Sequence, residues 1–137
     1  TPKFIGDMPH TWVGSDFIRS TLDMFAYDRE ADSALVVGSG VPAAWTAEAP
    51  GVAVRGLRTV YGALDLAIRA EGDSLVRVRV GALERVPRGG VVLRPPLARA
   101  VRSVTVNGAA ARATRDPASG EEEVVVRRVP ADVVFRY

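Results

Sequence analysis

The chain has 137 residues, with no cysteine, a single lysine (Lys3) and a single histidine (His10). The absence of cysteine excludes disulfides, thiolate nucleophiles and cysteine-ligated metals, and leaves the cellular compartment open. A lone histidine cannot build a three-ligand zinc site without carboxylate help, and Asp7 and Asp16 stand at no metal-motif spacing. No metal and no cofactor are therefore expected. Long apolar runs are also missing: Gly, Pro or Arg interrupts each one before it could cross a bilayer, so no membrane partner is expected. The net charge is only +2, and acidic residues are interspersed with the arginines. Nucleic-acid binders concentrate their basic residues on one face, so no nucleic-acid partner is expected either. There is no G-x-S-x-G elbow and no phosphate loop, and Gly38-Ser39-Gly40 and Arg88-Gly89-Gly90 read as turns. The chain opens on Thr1 without a signal-peptide pattern, so it reads as a mature chain, a trimmed one or a fragment.

What is present is alternation. Leu64, Leu66 and Ile68 alternate with Asp65, Ala67 and Arg69, and Val76, Val78 and Val80 alternate with Arg77 and Arg79. Period two on both sides of Glu71-Gly72-Asp73-Ser74 predicts a half-buried hairpin. The expected register sets Leu66 opposite Val78, Ile68 opposite Val76, and Asp65 across from Arg79 on the wet face. Short strands are also predicted at 34–37, 52–55 (stopped by Gly56), 91–94, 101–106, 109–114, 124–128 and 133–137. Asn107-Gly108 marks a two-residue hairpin turn, and a turn or short helical segment carries Trp45 within 41–49.

Ahead of these strands, Ser15 reads as a helix N-cap, and Phe17, Ile18, Thr21, Leu22, Met24 and Phe25 form an apolar stripe at helical spacing. The helix is expected to span 15–27 and to end near Tyr27 or Asp28. The fold class is thus mainly β, an antiparallel β-sandwich preceded by one N-terminal α-helix. Two parts follow: 1–30, the N-terminal segment and helix, and 31–137, the sandwich. The stripe is wide enough to predict self-association through helix 15–27.

Candidate catalytic residues are missing. Glu121, Glu122 and Glu123 adjoin one another, but neighbours on an extended chain face opposite ways and do not converge as a glycosidase pair; they read as a solvated turn. Trp45 and Tyr61 are the candidate sugar-stacking aromatics, weighed against a place in the core.

Three stretches resemble one family. Residues 8–18 (M-P-H-T-W-V-G-S-D-F-I) are similar to the S-F-N-H-Y-x-x-G entry into the last toroid helix of bacterial (α/α)6 glycoside hydrolases of the α-L-rhamnosidase type. Residues 51–62 are similar to their strand and T-P-x-G turn, with Val60 where proline is usual, and 103–108 to their V-x-V-N-G hairpin. Leu64–Arg69 lacks a tryptophan often found there, so a relative acting on another sugar fits equally well. The resemblance implies that 1–30 is the tail of a helical toroid and 31–137 a non-catalytic C-terminal accessory sandwich. The upstream catalytic helical domain is the implied partner, with carbohydrate as a possible ligand. It places His10 and Trp12 at the sugar-binding end of the intact enzyme, and puts the general acid and base outside this chain. The alternative is a carbohydrate-binding module that uses Trp45 or Tyr61 as exposed aromatics.

Overall fold

The strongest alternation in the sequence becomes the middle of a sheet. In the computed structural model, which describes residues 24–41, 43–47 and 51–137, Gly62–Ala70 and Leu75–Gly81 form β4 and β5. Leu64, Leu66, Ile68, Val76, Val78 and Val80 are all buried. Around them run β3 (Val52–Thr59), β11 (Ala131–Arg136), β7 (Ser103–Val106) and β8 (Ala109–Ala111), in the order β3-β4-β5-β11-β7-β8. The second sheet has the order β1-β2-β6-β10-β9. Its strands are β1 (Ala26–Arg29), β2 (Ala34–Val37), β6 (Val91–Leu93), β10 (Glu122–Val126) and β9 (Thr114–Arg115). A short helix, α1 (Ala43–Ala47), packs against β4. The chain is mainly β, as the alternation predicts. Among the described residues all strand pairings are antiparallel except β2 with β6.

The faces of the central hairpin are as expected, but the register is not. Leu66 lies opposite Val80, Ile68 opposite Val78 and Ala70 opposite Val76. A slip of two residues keeps every side chain on its own face, so alternation cannot choose between the two registers. The turn chooses: Glu71 N–H donates to the Leu75 carbonyl at 2.8 Å, closing a loop in which Gly72 takes φ +73°.

Asp65 consequently does not face Arg79. It opposes Gly81, and its Oδ1 accepts the Gly56 N–H at 2.8 Å. That bond explains why β3 does not stop at Gly56. The register between β3 and β4 shifts between Val54 and Leu57, a β-bulge with Gly56 at φ +68°. The bulge turns the Gly56 N–H off the ladder and the Asp65 carboxylate takes it up. Asp65→Ala is expected to cost about 1 kcal/mol in urea unfolding, the usual worth of one such bond. Asp65→Asn, which keeps an acceptor oxygen, is expected to recover most of that loss.

Asn107 and Gly108 form the two-residue turn, with φ of 51° and 85° and Val106 paired to Ala109. At the other end, Met24 and Phe25 are helical, but Ala26–Arg29 is strand β1 rather than the last turn of a helix. Phe25 is buried in the main core. The remainder of the expected helix 15–27, and with it the predicted self-association surface, lies outside the described residues. No helix among the described residues is long and apolar enough to cross a membrane.

Candidate functional site: the outer face of the five-stranded sheet

A sandwich sheet normally turns one face to the core and one to water. The six-stranded sheet does so. The five-stranded sheet does not. β2 and β6 are buried at every position. Leu35, Val37, Val91, Leu93, Val124 and Val126 join the core between the sheets. Ala34, Val36 and Val92 point the other way and are equally buried, with Tyr27 and Val125 packed beside them. The pairing places Tyr27, Val36, Val92 and Val125 in one row across β1, β2, β6 and β10.

Charges on this sheet are buried as well. Glu123, on β10, is only 4% exposed. Arg29, on β1, donates to both of its carboxylate oxygens, at 2.8 and 3.0 Å, and grips Asp32 at 2.6 and 2.9 Å. Arg94, at the end of β6, bridges Asp116 at 3.3 Å and Glu121 at 2.9 Å, and Arg29 approaches Asp116 at 3.6 Å. The reading of Glu121–Glu123 as a solvated turn is therefore corrected. Glu122 and Glu123 open β10, Glu123 sits within an ion-pair network, and only Glu121 is exposed. The alternation of their directions stands, so they form no converging catalytic pair. The buried Nε of Arg94 finds no acceptor among the described residues.

The network shifts its acids. Asp116 accepts the Ala118 N–H and the Ser119 hydroxyl, each at 3.0 Å. These bonds, with the charges of Arg29 and Arg94, hold its pKa below the ordinary 3.8. Asp32 is held below 3.8 mainly by its bonds from Arg29, whose own pKa is raised by Asp32 and Glu123. A carboxylate with a depressed folded-state pKa contributes stability that is complete above its unfolded value and lost as pH falls through the folded one. Stability is thus expected to hold down to pH 3.8 on account of Asp32 and Asp116, and to fall below it. Urea midpoints across this range should decline less steeply in Asp116→Asn than in the parent chain.

The aromatics chosen from the sequence lie on separate elements. Trp45, in α1, is half-buried against the core. Tyr61, between β3 and β4, is also half-buried, and the Arg85 guanidinium stands 5.5 Å from its ring centroid. Arg85 is held there by its bond to the Val60 carbonyl at 2.6 Å. His10 and Trp12 lie outside the described residues. Among the described residues no three His, Asp or Glu side chains are grouped to hold a metal ion. The chain matches no family model, no curated protein and no solved structure.

Proposed function

We propose that this chain is the non-catalytic C-terminal β-sandwich of a larger carbohydrate-active enzyme, a bacterial glycoside hydrolase, where it packs on and stabilises a helical catalytic domain. The observation that carries the proposal is the resemblance of residues 8–18, 51–62 and 103–108 to the rhamnosidase type. On the outer face of the five-stranded sheet Ala34, Val36, Val92 and Glu123 are already buried within this chain, so that sheet is an inner layer and a partner domain would meet the chain elsewhere. The carbohydrate part of the reading comes from the same three stretches. The binding-module alternative is less well supported, because Trp45 rests on the core and Arg85 caps the Tyr61 ring.

The test is the native polypeptide. Immunodetection on a denaturing gel of cells that carry this sequence should show a chain several times longer, with this sequence at its C-terminal end. The chain alone should not hydrolyse aryl-glycosides. A native polypeptide of this length only, or turnover by this chain that is lost on replacing one of its carboxylates, would overturn the reading.

A further inference from the structure

The wet face of the six-stranded sheet is not flat. Ala53 on β3, Ala67 on β4, Arg79 on β5 and Asp132 on β11 lie in one row across four strands. In the next row Asp65 lies opposite Gly81. Two alanines and a glycine side by side leave a depression of about 350 Å³, and Arg55, Arg79 and Asp132 are among the residues that wall it. A second depression of about 280 Å³, reaching Arg69 and Arg77, shares Ala53, Ala67 and Arg79 with the first. The two form one elongated groove with Arg79 at the junction.

Its charges are unequally committed. Arg69 and Arg77, directly opposite each other, share Glu71 at 2.8 and 3.1 Å, and Arg77 also holds Asp132 at 2.7 Å. Asp65 is engaged with the Gly56 N–H. Arg55 and Arg79 are exposed and make no ion pair among the described residues. Two guanidinium forks thus face a shallow floor while the nearby carboxylates are occupied. Asp132 Oδ1 is buried at the groove wall and finds no donor among the described residues.

We propose that this groove binds a carboxylate-bearing oligosaccharide, a chain of uronic acid type, with Arg55 and Arg79 gripping its carboxylates. This specifies the ligand class of the accessory domain and rests on the carbohydrate reading above. A guanidinium matches a carboxylate with two parallel hydrogen bonds. The small side chains of the floor admit a ring close to the backbone. A nucleic acid fits less well. No aromatic side chain among the described residues lines the groove to stack a base.

The test is calorimetry on the full chain with a tetrasaccharide of α-1,4-linked galacturonate. The comparison probes are maltotetraose and a single-stranded oligonucleotide. The galacturonate should bind more tightly than either, and less tightly as salt is raised. Arg79→Ala and Arg55→Ala should each weaken it about tenfold, the worth of a charge-assisted hydrogen bond, without moving the melting temperature. Arg79→Lys, which keeps the charge and loses the fork, should fall between. No binding of galacturonate, equal binding of maltotetraose, tighter binding of the oligonucleotide, or affinity unchanged in both alanine variants would each overturn the proposal. Its failure leaves the length of the native polypeptide, and hence the accessory-domain reading, standing. A short native polypeptide that still binds galacturonate would remove that reading and keep the groove.

Discussion

Phe135→Ala is expected to destabilise the sandwich by about 3–5 kcal/mol, the usual range for deleting a fully buried phenyl ring. Phe135 has 0% exposure in β11, between β5 and β7, where it opposes Val76 on one side and Val104 on the other. Both neighbours are β-branched and belong to regular strands, so the cavity has little means of collapsing. Against a typical domain stability of about 5–15 kcal/mol, the loss should move the urea midpoint far enough to populate the unfolded chain at moderate temperature. Phe135→Leu, which refills part of the volume, should recover much of it. A midpoint for Phe135→Ala close to that of the parent would mean that the two sheets do not meet over this ring.

Arg29→Met should be about as costly, for an electrostatic reason. It leaves Glu123, 4% exposed, without the two bonds that satisfy its carboxylate. Breaking a buried pair from one side costs about 3–5 kcal/mol, because the remaining charge is desolvated without compensation. The double variant Arg29→Met with Glu123→Met removes both charges and should be more stable than Arg29→Met alone. Denaturant unfolding of the three proteins at neutral pH checks this. A double variant less stable than the single one would show that Glu123 draws its compensation from elsewhere.

The residues of this chain were unequally legible. Alternation at 64–69 and 76–80 identified the central strands and their buried faces, because burial on one face imposes a period of two on any sequence. It could not set the register, since a two-residue slip preserves that period; the turn at Gly72 decided it. Asn107-Gly108 was legible because positive φ at both turn positions restricts the residue types sharply. Gly56 was read as a stop and proved to be a bulge, because what distinguishes the two is the distant carboxylate of Asp65. β1 was hidden for another reason. Ala26–Arg29 continues a helical stripe in sequence, and only its pairing with Ala34–Val37 makes it a strand. Glu123 carried no signal of its own, since a glutamate after two others reads as solvent-facing until Arg29, 94 residues away, is seen beside it. The groove over Ala53 and Ala67 depends on neighbours from four strands, and no linear pattern carries that.

The central claim is that this chain packs against a helical domain of a longer polypeptide. Photo-crosslinking tests it most directly. Val60, a large apolar side chain left 61% exposed, would be replaced by p-benzoylphenylalanine in the intact native polypeptide, and the adducts mapped by mass spectrometry. The account predicts a crosslink to a helical segment outside residues 1–137. Adducts confined to residues 1–137, in a protein that remains folded, would contradict it.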